Sequence, residues 1–372
     1  MTRGCPKGSS KEVVLIVTSE ESGLDRYSQE IANRLDVEKI TCRRYLSPPK
    51  AYKLARSIGS RGEVVHLPNQ HFARYALFLN RPFIITVHDL VRCCFNFDRE
   101  SISEKMLLNL DKRYIKRANH IIAVSESTKN DLVNYLKIPE GRISVIYNGV
   151  DHNVFKSYHV RLHYRRYILY VGSERRRKNL GRLLESFAAL KREFPDLMLV
   201  KVGSPGRSKE FRSKTLEILS RLGITEEVIF VDHISEKDLA YYYSSAALLC
   251  YPSLYEGFGL PPLEAMACGC PVVTSNTSSL PEVMGEAGIM VNPYDTRSLV
   301  QAMRQVLTDS DLRNSMVRKG LEQSKKFSWE RTADLTLQVY NRVTSREIKR
   351  YDWGTTQEGK EIERREANTV VR

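Results

Sequence analysis

The chain has 372 residues, of which 42% are hydrophobic and 27% are charged, and its formal net charge is +14. At roughly 150 residues per domain this length predicts two domains, and the composition is that of an ordinary globular protein. The sequence has no apolar run of the ~20 residues that a membrane-spanning helix needs, and residues 1–11 lack the apolar segment of a signal peptide. The expected location is therefore the cytoplasm.

The positive charge favours anionic partners such as nucleotide phosphates, nucleic acid or acidic lipid surfaces. The sequence has no helix-turn-helix, zinc-finger or RNA-binding signature, so phosphates and lipids are expected and nucleic acid is not. Its seven cysteines are scattered and lack the spacing of zinc ligands. They are predicted to be reduced and mostly buried.

Strands and helices alternate in the first half of the chain. Residues 13–17 form a β-branched run that predicts a buried parallel strand, and Gly23 and an amphipathic helical pattern follow it. Further strands are predicted at residues 64–67, 83–87, 120–124 and 143–146. This order is typical of a Rossmann-type domain, in which a parallel sheet is connected by right-handed crossovers.

The alternation restarts after a linker of mixed charge at residues 152–166. Strands are predicted at 167–171, 197–202, 228–231, 247–251, 271–274 and 288–291, and helices at 180–190, 236–243 and from Leu260 onward. We therefore predict two Rossmann-like α/β domains, at residues 1–160 and 161–335. Residues 336–372 are predicted to be a C-terminal helix, with packing back on the first domain as one option, and a charged tail.

Glu256 and Glu264 flank the most informative stretch of the sequence. A predicted strand leads into a short loop, and a helix starts at Leu260. Ligands of open α/β sheets bind at the carboxyl ends of strands, and a helix start offers unpaired N–H groups to a phosphate. Glu264 is placed to meet ribose hydroxyls, and Glu256 lies nearer a transferable sugar. The alternative of two ordinary surface carboxylates is disfavoured by Gly257 and Gly259, which let the backbone approach a ligand.

This stretch resembles the E-x7-E signature of retaining nucleotide-sugar glycosyltransferases with the two-Rossmann (GT-B) fold, of the family 4 or group 1 type. Other segments resemble motifs of the same family, in family order: Ser22-Gly-Leu-Asp-Arg-Tyr, Thr86-Val-His-Asp-Leu, Ala123-Val-Ser-Glu-Ser-Thr-Lys, Ile146-Tyr-Asn-Gly-Val-Asp, Val171-Gly-Ser with Arg177-Lys-Asn-Leu, and Phe327-Ser-Trp-Glu-Arg-Thr-Ala. The resemblance covers nearly the whole chain. It implies an acceptor site mostly on the first domain and a donor site mostly on the second.

The resemblance also implies roles for residues by their position. Glu264 resembles the glutamate that binds the ribose, and Glu256 resembles the glutamate near the sugar hydroxyls. The turn between them resembles the turn whose backbone binds the sugar and the phosphate. Segment 231–234 matches the part whose backbone binds the base, and Gly23 lets its loop approach the diphosphate or the acceptor. The expected donor-binding residues are Gly23, Arg177, Lys178, His233, Ile234, Glu256, Gly257, Phe258, Gly259, Leu260 and Glu264.

The expected catalytic residues are His88, Glu256 and Lys178. Arg177 and Lys178 follow a strand end, where fixed positive charge stabilises a diphosphate leaving group. Lys178 matches the family lysine, but Ser173 stands where family members often carry arginine, which leaves open which arginine takes that role. The context of His88 implies contact with the sugar rather than action as a general base.

No Asp-x-Asp motif stands where a metal-bridged diphosphate would need it, so a metal-independent reaction without a cofactor is expected. The family implies retention of configuration, by front-face displacement with the leaving phosphate as base. Segment 177–180 is similar to mannosyltransferases of surface polysaccharide assembly, so a hexose donor is expected, with GDP-mannose favoured over UDP-sugars. Two alternatives stay open: an epimerase- or phosphorylase-like enzyme of the same fold, and a non-catalytic protein that binds sugar nucleotides.

Two stretches of the first domain are candidates for contact with an anionic membrane. Residues 71–78 mix aromatic side chains with a cation, and residues 112–117 carry a basic cluster at a predicted helix end. Core aromatics and a solvated helix end are the favoured interpretation. The expected partners are thus a nucleotide sugar and a glycan or lipid-linked acceptor, with peripheral contact at the inner face of the cell membrane as the alternative to a purely cytoplasmic location.

Overall fold

The computed structural model describes residues 9–19, 23–43, 46–58, 62–95, 101–160, 162, 166–206, 209–232 and 234–344. The predicted base-binding residue His233 and the predicted charged tail lie outside these residues. The described residues form two Rossmann-like domains, each with helices around a parallel sheet of six strands.

The first domain is built on a sheet with the strand order β2-β1-β3-β4-β5-β6. Its strands are β1 (Ser9–Thr18), β2 (Asp36–Cys42), β3 (Val64–Leu67), β4 (Phe83–Val87), β5 (His120–Ala123) and β6 (Ile143–Val145). Its helices are α1 (Gly23–Arg34), α2 (Pro48–Ile58), α3 (Val91–Cys94), α4 (Ile102–Arg117) and α5 (Glu126–Leu136), with 3₁₀ segments at Gln70–Phe78 and Glu140–Arg142. Strands β3, β4 and β5 are buried throughout, as expected of central strands covered on both faces.

The second domain has the strand order β12-β11-β10-β7-β8-β9. Its strands are β7 (Tyr167–Val171), β8 (Met198–Val202), β9 (Val228–Val231), β10 (Leu248–Tyr251), β11 (Val272–Ser275) and β12 (Ile289–Val291). Its helices are α6 (Leu180–Lys191), α7 (Lys209–Leu222), α8 (Glu236–Ser245), α9 (Leu260–Ala267), α10 (Leu280–Met284), α11 (Thr296–Thr308) and α12 (Ser310–Ser324), with a 3₁₀ turn at Arg176–Lys178. Helix α13 (Trp329–Thr344) follows them.

Strand β2 is missing from the sequence prediction, whereas all other strands overlap the predicted ranges. Asp36, Glu38 and Lys39 are exposed on this edge strand, so its composition is mostly polar and lacks the apolar run by which the central strands are found.

In both sheets the strand order reverses at the first strand, because later strands are added on the opposite side of it. In the second sheet the chain runs from β7 to β8 and β9 on one side, and β10 then returns to the other side of β7. Open α/β sheets bind ligands outside the carboxyl ends of their strands at such a reversal. The segments after β7 and β10 are therefore placed side by side.

Helix α13 packs on the first domain through a buried chain of hydrogen bonds. The Tyr340 hydroxyl lies 2.6 Å from His66 Nδ1, and His66 Nε2 lies 2.8 Å from Thr86 Oγ1. Because Thr86 donates its own proton to Tyr27, it accepts from His66 Nε2, and His66 Nδ1 accepts from Tyr340. Burial lowers the pKa of His66 to about 3, so the ring stays neutral.

Replacing Tyr340 by phenylalanine tests this attachment of α13. Tyr340→Phe leaves a buried ring nitrogen without its donor, and we expect the free energy of unfolding to fall by about 1–3 kcal/mol. Equilibrium urea denaturation measures the change. Tyr294→Phe, at an exposed tyrosine, is the control and should leave the unfolding midpoint unchanged. Equal midpoints for the two variants would show that the hydrogen bond does not hold α13.

Candidate active site

The connection between β10 and α9 turns sharply at the carboxyl edge of the second sheet. We call residues 256–260 the α9 turn. Gly259 has a φ of 118°, which residues with a side chain rarely adopt, and α9 begins at the next residue. Within the described part of the chain, the N–H groups of Phe258, Gly259 and Leu260 have no hydrogen-bond acceptor. They present positive dipole ends that suit an anion.

The Glu256 carboxylate is buried between two cations. Its Oε1 accepts hydrogen bonds from Lys178 Nζ at 2.7 Å and from the Tyr251 hydroxyl at 2.9 Å. Its Oε2 accepts from Arg177 Nη1 at 3.0 Å, and the same nitrogen lies 3.0 Å from the Tyr255 carbonyl oxygen. The structure therefore brings together three predicted site residues, because the 3₁₀ turn after β7 lies against the loop after β10.

Burial and charge act in opposite directions on the pKa values of this cluster. Burial raises the pKa of Glu256, but Lys178 and Arg177 outweigh it and lower that pKa to about 2. Burial lowers the pKa of Lys178 to about 8, because the opposing charge of Glu256 only partly offsets burial and the charge of Arg177 adds to the lowering. Glu256 is thus ionised at neutral pH, and one carboxylate faces two cations. The excess positive charge favours an anionic ligand.

The Glu264 carboxylate is also buried, and it is paired across the two domains. Its Oε2 accepts from the Tyr243 hydroxyl at 3.0 Å, and its Oε1 accepts from Arg26 Nη1 at 2.8 Å. Arg26 lies on α1 of the first domain and also forms an ion pair with Glu236 at the start of α8. The sequence analysis did not identify Arg26 as a site residue, although Arg26 belongs to the Ser22–Tyr27 segment in which Gly23 was predicted to be one.

His88 lies at the interface between the two domains. Its ring Nε2 donates to the Pro68 carbonyl oxygen at 2.9 Å, and the Tyr27 ring packs edge-on at 5.1 Å. The His88 carbonyl oxygen faces the α9 turn so closely that a Cβ added at Gly257 would lie 1.6 Å from it. The structure thus places His88 beside Gly257, with its ring among first-domain residues.

Two further predicted donor residues lie at or next to helix starts. Gly23 begins α1, and Ile234 lies just before α8, partly buried against the core of the second domain. The Phe258 ring packs against Tyr147 and Phe327. Only the backbone of Phe258 is therefore placed to meet a ligand.

Within the ranges that the structure describes, no three His, Cys, Asp or Glu side chains are grouped in a way that could hold a metal ion. None of the described helices combines the length and the hydropathy needed to cross a membrane.

Comparison with known proteins gives matches over both domains. Residues 157–323 match the family model described as glycosyl transferases group 1, and residues 11–154 match that of glycosyltransferase family 4. The chain is 32% identical over 276 residues to the O-antigen chain mannosyltransferase B of Escherichia coli, which covers 69% of each protein. It is also 32% identical over 256 residues to the serotype-specific mannosyltransferase WbdA of Escherichia coli, covering 65% of this chain and 31% of that relative.

Among solved structures, the chain is similar to HepE of Anabaena in complex with UDP-glucose. The TM-score is 0.75 at 17% sequence identity, and the match covers 89% of this chain and 99% of that one. At this identity the likeness concerns the fold alone.

The lowered pKa of Lys178 predicts a pH dependence of anion binding. The ammonium group is charged below about pH 8 and loses its proton above it. Because the terminal phosphate of GDP titrates at about pH 6, the affinity of the site for GDP should be constant only between about pH 7 and 8, and should fall above pH 8, approaching about tenfold per pH unit. In Lys178→Arg the affinity should stay constant, because a guanidinium keeps its charge. Isothermal titration calorimetry across this range measures both.

Lys325→Arg is the control, since this exposed lysine pairs only with its neighbour Glu322 in α12 among the described contacts. It should retain the wild-type pH profile. A loss of affinity above pH 8 that is equally steep in Lys178→Arg would show that another group titrates.

Proposed function

We propose that this chain, which belongs to the glycosyl transferases of group 1, transfers a hexose from a nucleoside diphosphate sugar with retention of the anomeric configuration. GDP-mannose is the favoured donor, and a glycan or lipid-linked acceptor of surface polysaccharide synthesis is the favoured acceptor. The observation that carries the proposal is the buried Glu256 carboxylate held by Lys178 and Arg177 beside the start of α9.

In this proposal the two cations and the N–H groups of Gly259 and Leu260, at the start of α9, hold the diphosphate. Negative charge grows on the leaving phosphate as the bond to the sugar breaks, and fixed cations and N–H groups stabilise it without reorganising. Lys178 and Arg177 supply the positive charge that a metal ion would otherwise provide. The reaction is accordingly proposed to need neither a metal nor a cofactor.

Glu256 has a positioning role in this proposal rather than that of a nucleophile. Both of its oxygens accept hydrogen bonds from cations, and a carboxylate with a pKa of about 2 is a weak base and a weak nucleophile. Front-face displacement fits this arrangement. The acceptor oxygen bonds to the anomeric carbon as the phosphate leaves, and the leaving phosphate oxygen takes the acceptor proton.

The preference for mannose is supported by the relatives. The O-antigen chain mannosyltransferase B and WbdA of Escherichia coli both carry mannosyltransferase in their names. The first of these names refers to an O-antigen chain, which is why we favour a surface polysaccharide as acceptor.

A panel of nucleotide sugars tests the donor and the site together. We expect the purified protein to hydrolyse GDP-mannose, or to transfer its sugar, faster than it does with UDP-glucose, UDP-galactose or GDP-fucose. The order should be the same with and without EDTA. Lys178→Met should lower kcat by about 100-fold or more, because it removes a positive charge that stabilises the leaving phosphate. Glu256→Gln should lower kcat by a similar factor, because Lys178 and Arg177 lose the carboxylate that holds them in place. Liquid chromatography of the released GDP or UDP measures the rates.

The control is Glu193→Gln, which removes an exposed ion pair with Arg304 in the second domain and should leave kcat unchanged. Nucleotide binding without turnover of any donor would support the non-catalytic alternative. Faster turnover of a UDP-sugar would contradict the donor assignment and leave the site assignment intact.

Helix α4 supports the proposal of peripheral contact with an anionic membrane. Ile102, Met106 and Leu107 are exposed on its first turns, and its last turns carry the exposed cations of the predicted 112–117 cluster. The other candidate stretch, 71–78, is less suited, because Phe72 is buried in the core of the first domain. Apolar side chains next to cations on one helix favour binding to anionic lipid surfaces.

Vesicle sedimentation tests this contact. We expect the protein to bind vesicles with anionic lipid at low salt, and the double variant Ile102→Ser with Met106→Ser to lose about tenfold in affinity, since each buried apolar group contributes to partitioning. Leu216→Ser, at an exposed leucine of the second domain, is the control. Binding that is equal in all three proteins, or absent at low salt, would contradict the role of α4.

A further inference from the structure

The α9 turn is held from the opposite domain through one carbonyl group. The Gly257 carbonyl oxygen accepts a hydrogen bond from Ser125 Oγ at 2.7 Å and a longer one from Thr128 Oγ1 at 3.3 Å. Both hydroxyls lie at the start of α5 in the first domain, where Ser125 caps the helix by accepting from the Thr128 N–H. One face of the α9 turn is thus bound to the N-terminus of α5.

The neighbouring carbonyl groups are held from within the second domain. Ser279 Oγ, at the start of α10, lies 3.0 Å from the Glu256 carbonyl oxygen and 2.7 Å from the Phe258 carbonyl oxygen. The peptide between Glu256 and Gly257 and the peptide between Phe258 and Gly259 are therefore fixed by their own domain. The peptide between Gly257 and Phe258 is fixed by the first domain.

The contact between the domains is tight and reciprocal. A Cβ at Gly257 would lie 1.6 Å from the His88 carbonyl oxygen, so glycine is required for the approach of the two chains. Glu282 of α10 reaches back, and its carboxylate accepts from the N–H groups of Glu126 and Ser127 at 2.7 and 2.8 Å. A carboxylate at a helix N-terminus is stabilised by the unpaired N–H groups and the helix dipole.

We propose that Ser125 and Thr128 are positioning residues for the transfer reaction, which align the Phe258 N–H when the first domain closes on the α9 turn. The carbonyl and N–H of a planar trans peptide point in opposite directions. Holding the Gly257 carbonyl against α5 therefore directs the Phe258 N–H away from α5, where it has no acceptor among the described residues. The proposal includes a second, open arrangement, in which the first domain has moved away from the α9 turn and this peptide has no anchor.

This inference rests on the proposed function, and it predicts a separation of binding from catalysis. The cations and Glu264 that hold the nucleotide belong to the second domain, so they bind it in both arrangements. The Phe258 N–H is aligned only in the closed arrangement, where it stabilises charge on the reacting groups. Loss of the anchor should thus lower kcat and leave the dissociation constant for GDP unchanged.

Three variants test the inference. Ser125→Ala should lower kcat about tenfold, the effect of one lost hydrogen bond that acts in the transition state, with GDP affinity within about twofold of wild type. Thr128→Val, which keeps the helix cap, should lower kcat by a smaller factor because its bond is longer. Ser125→Thr keeps a hydroxyl and should restore kcat. Ser186→Ala, which removes a buried serine hydroxyl on α6, is the matched control.

Nuclear magnetic resonance gives a readout that does not need turnover. The amide nitrogen chemical shift of Phe258 should change in Ser125→Ala and keep its wild-type value in Ser186→Ala, because the carbonyl of this peptide no longer accepts a hydrogen bond from Ser125. Unchanged kcat and an unchanged Phe258 chemical shift in both Ser125→Ala and Thr128→Val would overturn the inference. So would parallel losses of kcat, GDP affinity and melting temperature that Ser125→Thr does not restore, since these indicate a structural role only.

The outcome is separable from that of the proposed function. If wild-type protein turns over no nucleotide sugar, the proposed function fails, and the chemical shift of the Phe258 amide alone decides whether α5 holds the turn. If wild-type protein is active and Ser125→Ala is equally active, the proposed function stands and the positioning role is wrong.

Discussion

A carboxylate buried between two cations is the constraint on which the candidate site depends. An ionised Glu256 without partners would cost several kcal/mol in lost hydration, and its pairing with Lys178 and Arg177 offsets that cost. The partners are far apart in the sequence and meet because β7 and β10 are neighbours in the sheet. The strand order thus produces the positive site, and the site in turn holds the loop after β10 against the turn after β7.

At the carboxyl edge of the second sheet, the first domain supplies hydrogen-bond donors to acceptors of the second. Arg26 of the first domain satisfies Glu264, and first-domain hydroxyls satisfy the Gly257 carbonyl. In the proposed donor complex, ribose hydroxyls take over one oxygen of Glu264, so donor binding replaces an ion pair between the domains by contacts to the ligand. The anchor at Gly257 is independent of that exchange. The first domain can therefore release Glu264 and keep its hold on the α9 turn.

Local patterns predict most of the fold and one side of the site. The β-branched runs identify the central strands, and the spacing of Glu256 and Glu264 around two glycines identifies the turn. Arg26 and the anchoring role of Ser125 could not be predicted, since both depend on how the domains are placed relative to each other. The buried pair of Lys201 and Glu174 is also missed, because a lysine in a strand gives no sign of its partner.

Ser173 stands where members of the family often carry arginine, and Arg177 lies nearby in the turn that follows the same strand. The turn after β7 places Arg177 on the Glu256 carboxylate. This turn is fixed by Asn179, which has a φ of 58° and donates from its side chain to the carbonyl oxygens of Pro252 and Pro293 at 3.0 and 2.8 Å. The amide of Asn179 therefore ties the turn to the loop that leads to Glu256. In the proposed function this edge needs positive charge near the leaving phosphate, and Arg177 would supply it from a different position in the sequence.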